Sequence, residues 1–285
     1  IQFDTSYSKI SLKNPYLKNT FSISNIENDL SGSYGFKVKE QSLGYSSSFK
    51  YNDETNVSAG ISFKASEGHS PKANLNFVND NIGTFQDFIL SFSINSNTTN
   101  DLYYPTNGII NNLSFAISPY ELSDNSYYKL RYNYSLFYDN KSNDNFYFIS
   151  SKLGYADSFK GNLKTINTFS LGGSNFQGFD FRGVGQFNGS TYLGGNKFFT
   201  FTMGLGSNLL FDKKDNIYFK TFLTTGSIWD SDYVNNDDIK LRSSVGFSLD
   251  FIASSIPVTF TYALPIQKEL NDKSRLLNFA IGTSF

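Results

Sequence analysis

Apolar and polar residues alternate along most of this 285-residue chain, and the alternation is clearest near the C-terminus. There Leu277, Phe279, Ile281 and Phe285 share one face of an extended segment, with small or polar residues between them. A period of two is typical of β-strands that have one apolar and one polar face. The pattern recurs at residues 57–63, 88–94, 113–117, 128–138, 199–205, 241–251 and 258–266. The strand segments that contain these alternating positions are about nine to fourteen residues long, and a tilted strand needs roughly 9–11 to cross a membrane.

The composition favours strands in lipid over strands in a soluble core. Only 17% of the residues are charged, whereas about a quarter is usual in soluble domains. Yet no apolar run approaches the roughly 20 residues of a membrane helix. A surface whose hydrophobicity alternates residue by residue explains both facts, so the sequence predicts an all-β fold, a transmembrane antiparallel β-barrel. The alternative is a soluble β-sandwich, in which nearly every strand would need its own buried face in a single core.

The strand count from sequence is about 13–15, and the uncertainty lies before residue 86. Tyr34, Phe36 and Val38 alternate in one parity, whereas Leu43 and Tyr45 alternate in the other. Residues 40–42 are therefore expected to form either a bulge or a tight turn. Residues 72–79 are either a short strand or part of a loop.

Several classes of function lack support in the sequence. The net charge of −1 recommends no nucleic-acid partner, and a chain without cysteine has neither disulfides nor thiolate metal sites. The single histidine, His69, is expected to be a solvated loop residue in a polar turn. The carboxylates of Asp237, Asp238 and Asp272 are expected to be solvated turn residues. We therefore expect no enzyme activity, no cofactor and no metal.

The longest interval without a strand pattern is residues 157–196, and it is rich in glycine and aromatic residues. Residues 171–195 hold eight of the 22 glycines together with Phe176, Phe179, Phe181, Phe187 and Tyr192. Long irregular segments in compact proteins are usually functional or disordered. Because this one carries so many aromatic side chains, we expect it to be an ordered loop that buries them.

Several short motifs in this chain resemble the BamA family, whose barrels insert other barrels into the bacterial outer membrane. The matches occur in the family's order, at residues 101–108, 169–185, 193–196, 226–230, 244–246 and 262–265. In addition, Asn14-Pro-Tyr16 resembles a turn that the family places after its fourth strand. The resemblance implies a 16-stranded barrel domain over residues 1–285, lacking its first strands and the periplasmic POTRA domains. A complete barrel of fourteen strands is the alternative.

By the same resemblance, residues 157–196 are the sixth extracellular loop, which folds into the barrel lumen. The family carries an arginine before Gly178-Phe179 that is thought to pair with an acidic residue on the inner wall; here these places are held by Gln177 and Thr224. A neutral pair avoids a buried unpaired charge. Alternatively, Arg182 supplies the cation and pairs with Asp230 or Asp250, or Gln177 is merely a loop residue and Arg182 is solvated. The predicted loop motif is Gly172, Gly173, Gln177, Gly178, Phe179, Arg182, Gly183 and Gly185.

The resemblance also implies how such a barrel works. The terminal strand, with Leu277, Phe279, Ile281, Gly282 and Phe285, forms a lateral seam at which a client strand adds by β-augmentation. Gly282 is either the point where this strand bends or a place that makes room for an aromatic neighbour. The implied partners are outer-membrane lipids, unfolded outer-membrane proteins and, through POTRA domains, accessory lipoproteins. A polypeptide secretion pore of the same superfamily and a plain porin-like barrel are the alternative functions.

Overall fold

A computed structural model describes residues 2–32, 34–72, 75–140, 145–188, 191–208, 217–234, 238–253 and 256–282. Within these residues, thirteen long strands form one antiparallel sheet in which each strand pairs with its neighbour in sequence. The strands are β1 (Phe3–Ile10), β2 (Leu17–Asp29), β3 (Lys37–Lys50), β4 (Thr55–His69), β5 (Gly83–Asn97), β6 (Gly108–Ser118), β7 (Tyr127–Asn140), β8 (Asn145–Ser158), β9 (Lys197–Asn208), β10 (Ile217–Trp229), β11 (Arg242–Ala253), β12 (Ile256–Gln267) and β13 (Leu277–Ile281).

The alternation in the sequence separates the two faces of this sheet. Large apolar side chains on the outer face are about half exposed, including Phe63 at 47%, Phe247 at 46% and Phe279 at 50%. They contact one another across strands; the Phe260 and Phe279 rings, for example, lie 4.7 Å apart. The inner face carries buried polar residues such as Thr224 and Ser248. One face of the sheet is therefore a continuous apolar surface.

Strand β3 shows why its hydrophobic residues change parity. Its pairing with β2 and with β4 runs through residues 40–42 without a register shift, so the expected bulge or turn is wrong. Phe36 and Val38 are buried on the inner face, whereas Leu43 is 61% exposed on the outer face. The parity changes because the apolar surface moves from one face of a continuous strand to the other.

The connections on one edge of the sheet carry most of the non-strand structure. These are residues 30–36, 70–82, 119–126, 159–196, 230–241 and 268–276, so far as the structure describes them. Within 72–79 the described residues contain a one-turn helix, α1 (Asn76–Asn79), rather than a strand. Its Phe77 and Val78 pack with Tyr34 and Phe36 and with Leu193 of the 159–196 connection. In the described part of the chain, no helix has the length and apolar character needed to cross a membrane.

Candidate functional site

The connection between β8 and β9, residues 159–196, is called the long loop here, and it lies against the inner face of the sheet. Its apolar side chains form one cluster with residues of the wall. Lys129 of β7 holds the start of the loop, because its Nζ donates a hydrogen bond to the Asn167 carbonyl at 2.7 Å and lies 4.5 Å from the centroid of the Phe169 ring. The loop members of the cluster are Leu163, Phe169, Leu171, Phe176, Phe179 and Val184, and the wall members are Tyr127, Ala156, Phe198 and Ile228.

Asp232, in the connection after β10, is hydrogen-bonded to residues near both ends of the long loop. Its carboxylate accepts hydrogen bonds from the Leu163 backbone N–H at 2.5 Å and from Asn196 Nδ2 at 2.9 Å. Burial raises the pKa of Asp232 above its usual range because it disfavours the charged form. The two ends of the loop are thereby held by one acidic side chain.

The predicted glycines lie where the loop turns sharply or touches backbone. At Gly172, with φ of 123°, a Cβ atom would lie 1.8 Å from the Asp180 carbonyl oxygen. At Gly178, with φ of 90°, it would lie 3.1 Å from Ser244 Cβ on the wall. Gly172 thus has neither the space nor the backbone angle for a side chain, and Gly178 has a tight contact and a backbone angle that other residues rarely adopt. Of the others, Gly173 begins a 3₁₀ turn, Gly183 lies against Lys273, and Gly185 lies against Ile228.

Gln177 lies at the tip of the long loop, in a cavity of about 240 Å³ on the inner face. Its Nε2 donates to the Ser174 carbonyl at 3.4 Å. Thr224 Oγ1 is hydrogen-bonded to Thr202 Oγ1 at 2.9 Å instead. Among the described contacts, the two residues that replace the family's charge pair thus have separate partners.

Arg182 is neither solvated nor paired with Asp230 or Asp250, so both expectations for it are corrected. Its guanidinium lies 3.5 Å from the centroid of the Tyr34 ring, and burial lowers the pKa of Arg182 to about 10. Asp230 pairs with Lys197 at 2.7 Å, and Asp250 pairs with Lys220 at 2.8 Å. The sequence missed Tyr34 because nothing local connects the β2–β3 turn with the long loop.

The tip of the long loop pairs with the segment just before the terminal strand. Gly178–Phe179 and Ser274–Arg275 form a two-residue antiparallel ladder. Two backbone hydrogen bonds extend it, from the Asp180 N–H to the Lys273 carbonyl and from the Lys273 N–H to the Gly183 carbonyl, each 2.9 Å long. The predicted motif and the predicted terminal strand are therefore in direct contact through the connection that precedes the strand.

A buried ion pair holds this connection, residues 268–276, to β11. Arg242 Nε donates to Asp272 Oδ2 at 2.9 Å, and Nη2 donates to Oδ1 at 3.2 Å. The two side chains are only 4% and 1% exposed. The expectation that Asp272 is a solvated turn residue is therefore wrong. The alternation in β11 placed Arg242 on the polar face, but no sequence signal identified its partner.

The terminal strand β13 is the shortest strand of the sheet as described. It pairs with β12 from Val258↔Ile281 to Tyr262↔Leu277, over five residue pairs. Leu277, Phe279 and Ile281 point outward and are 50–68% exposed.

At Gly282 the chain bends, with φ of 96°, and its N–H donates to the Pro257 carbonyl at 2.8 Å. Among the described residues, no atom lies within 4 Å of the position where a Cβ would be. The positive φ favours the interpretation that the strand bends at Gly282. Phe285 lies outside the described residues.

These features together define a class of protein. A large antiparallel sheet with an apolar outer face and a polar inner face, covered inside by a long loop, has the architecture of an outer-membrane β-barrel. The whole chain, residues 1–285, matches the Omp85 superfamily domain, and the chain belongs to that superfamily. The predicted fold class and the predicted resemblance are both confirmed.

Solved structures with the same fold include three from bacteria. BamA from Haemophilus ducreyi lacking POTRA domains 1–3 superposes with a TM-score of 0.80 at 21% identity, over 98% of this chain and 61% of that chain. CdiB from Acinetobacter baumannii has a TM-score of 0.61 at 13% identity, over 98% and 49%. CdiB from Escherichia coli has a TM-score of 0.61 at 14% identity, over 98% and 52%. This chain therefore spans less than two thirds of each of these proteins.

Proposed function

We propose that this barrel inserts unfolded outer-membrane proteins into the bacterial outer membrane, using its terminal strand as the site of β-augmentation. The observation that carries the proposal is the edge position of β13, which among the described residues pairs with β12 on one side and borders no strand on the other. Each ladder hydrogen bond contributes about 0.5–1.5 kcal/mol net, so a client strand that pairs with this open edge would gain free energy with every bond it adds. Membership of the Omp85 superfamily supports the same proposal.

We propose further that the barrel acts as a template and not as an enzyme. The N–H and C=O groups of the terminal strand would pair with an incoming strand, and the outward side chains of Leu277, Phe279 and Ile281 would continue its apolar face. No cofactor or metal has a role in this scheme. Accessory lipoproteins would bind through periplasmic POTRA domains, and outer-membrane lipids would surround the apolar face.

Depletion of the protein tests the proposal. We expect folded outer-membrane proteins to decrease generally, which heat-modifiable migration of several porins on gels would measure. Normal folding of those porins after complete depletion would refute insertion as the function. Depletion of an unrelated porin of similar abundance is the control.

The second candidate is a polypeptide secretion pore. The observation in its favour is the likeness of fold to two CdiB structures, each over 98% of this chain. Depletion would then abolish the export of a particular polypeptide and leave other outer-membrane proteins folded. A plain porin-like barrel would instead show steady ion conductance in planar bilayers and no effect on other proteins. The same depletion strain, examined for exported polypeptides and for porins, separates the candidates.

A further inference from the structure

Two of the six prolines of the chain lie in β12, and they bracket its pairing with the terminal strand. The paired residues of β12 run from Val258 to Tyr262. Pro257 lies immediately before this ladder, and Pro265 lies three residues after it. Proline has no backbone N–H, so within sheets it is confined to edges, strand ends and bulges. At Pro265 this matters most, because β12 continues to Gln267 although its pairing with the terminal strand has ended.

Two hydrogen bonds establish which side of β12 the prolines affect. The Ala263 N–H donates to the Leu276 carbonyl at 2.9 Å, and the Gly282 N–H donates to the Pro257 carbonyl at 2.8 Å. In an antiparallel strand, successive residues direct their N–H and C=O groups to opposite neighbours. The odd-numbered residues of β12 therefore face the terminal strand. Pro265 has the same parity, so both prolines lack the N–H that would point toward the terminal strand.

The opposite side of β12 is unaffected. There the pairing with β11 runs from Ser244↔Pro265 to Ala253↔Ile256, almost the whole length of the strand. On the terminal side, the residues between the two prolines that have an N–H to donate are Thr259, Thr261 and Ala263. The prolines thus weaken one edge of β12 and leave the other edge complete.

Residues 274 and 275 lie outside the ladder between β12 and the terminal strand, and they pair with the long loop instead. If the register of β12 and the terminal strand continued beyond Tyr262↔Leu277, Ser274 would lie opposite Pro265. No donor is present at that place. Ser274 instead pairs with Phe179, and Arg275 pairs with Gly178. Pro265 itself lies beside the loop tip, since its Cδ would be 3.5 Å from a Cβ built at Gly178.

We propose that Pro265 is a positioning residue that ends the ladder between β12 and the terminal strand and directs Ser274–Arg275 to the long loop. Pro265 determines whether Ser274–Arg275 pairs with β12 or with the long loop. A residue with an N–H at position 265 would allow the ladder of β12 with the terminal strand to continue. The inference rests on the proposed function only in that the terminal strand is the one to which a client strand would add. It extends that function by naming a residue that sets where the pairing of this strand with the wall begins.

The test is Pro265→Ala in the full-length protein reconstituted in lipid vesicles, followed by hydrogen exchange of backbone amides. We expect the amides of Asn278 and Ala280, which point toward β12, to exchange on the order of fivefold more slowly, the effect of one added ladder hydrogen bond. Amides of residues 178–183 should exchange faster, because the loop loses its partner. Pro119→Ala is the control, since Pro119 lies in the β6–β7 connection, away from this ladder. Unchanged exchange in both segments of folded Pro265→Ala would overturn the proposal.

Client insertion is measured on the same variants. Slower exchange at Asn278 and Ala280 with unchanged insertion would support the positioning role and count against the proposed function. Slower exchange with slower insertion would support both.

Discussion

The buried ion pair between Arg242 and Asp272 allows a quantitative prediction about the connection before the terminal strand. Asp272→Ala would leave the Arg242 guanidinium 4% exposed and without its carboxylate. Removal of one partner from a buried pair costs about 3–5 kcal/mol, because the remaining charge is desolvated without compensation. Asp272 also accepts a hydrogen bond from the Glu269 N–H at 2.8 Å, which closes the turn. We therefore expect a loss of stability in the upper part of that range, confined to residues 268–276.

A neighbouring ion pair provides the matched control. Lys240 and Glu269 join the same two segments at 3.4 Å, but their side chains are 44% and 42% exposed. Exposed pairs contribute about 0.2–1 kcal/mol. Glu269→Ala should therefore leave the connection almost as stable as the parent, although it also removes a carboxylate from the same turn.

Limited proteolysis under native conditions measures the difference, because cleavage in residues 268–276 reports the local opening free energy. Asp272→Ala should increase the opening constant at least a hundredfold, which corresponds to about 3 kcal/mol. The double change Arg242→Met with Asp272→Leu should restore most of the protection, because no buried charge remains. If Asp272→Ala and Glu269→Ala are cleaved equally slowly, the ion pair does not hold this connection and the reasoning is refuted.

Three further predictions concern the long loop and the terminal strand. Phe179→Ala should cost about 3–5 kcal/mol of loop docking and expose the loop to protease, whereas Phe181→Ala, at a side chain 65% exposed, should not. Gly282→Ala should cost roughly 1–2 kcal/mol of backbone strain and speed amide exchange in the terminal strand, whereas Gly161→Ala, with φ of 73°, should cause similar strain without that effect. Since burial raises the pKa of Asp232, the docked loop binds a proton more readily than the released loop, so protection from protease should increase as the pH falls through that pKa toward the ordinary value of 3.8. Asp232→Asn should remove this dependence, and an identical pH profile in that variant would contradict it.

Much of the fold could be predicted from sequence because one physical constraint repeats along the chain. In a strand with lipid on one side, apolar and polar residues must alternate. The sequence of each segment therefore indicates which of its residues face outward, whatever its neighbouring strands are. The prediction failed at residues 40–42 for the same reason. It assumed that apolar residues always mark the outer face, whereas Phe36 and Val38 pack inward beneath the long loop.

The residues of the long loop could be predicted from the sequence, but the residues that they contact could not. The glycines of the long loop identify it because other residues rarely adopt the backbone angles found at Gly172 and Gly178. Their partners lie far along the chain, and no local pattern pairs Phe179 with Ser274 or Arg182 with Tyr34. Asp272 was misjudged because a carboxylate in a polar turn has the same local sequence whether it is solvated or buried.

The contacts of the terminal segment are distributed unevenly between the wall and the long loop. Toward β12, the N–H donors are those of Thr259, Thr261 and Ala263, with prolines on either side. Toward the loop and β11, the segment before the strand has a two-residue ladder, further backbone hydrogen bonds and a buried ion pair. Loss of the first set costs a few exchangeable hydrogen bonds, whereas loss of the second leaves a buried charge without a partner. Separation of β13 from β12 therefore requires less free energy than separation of residues 268–276 from the long loop and β11. A change in the pairing of β13 with β12 would leave the preceding connection in place.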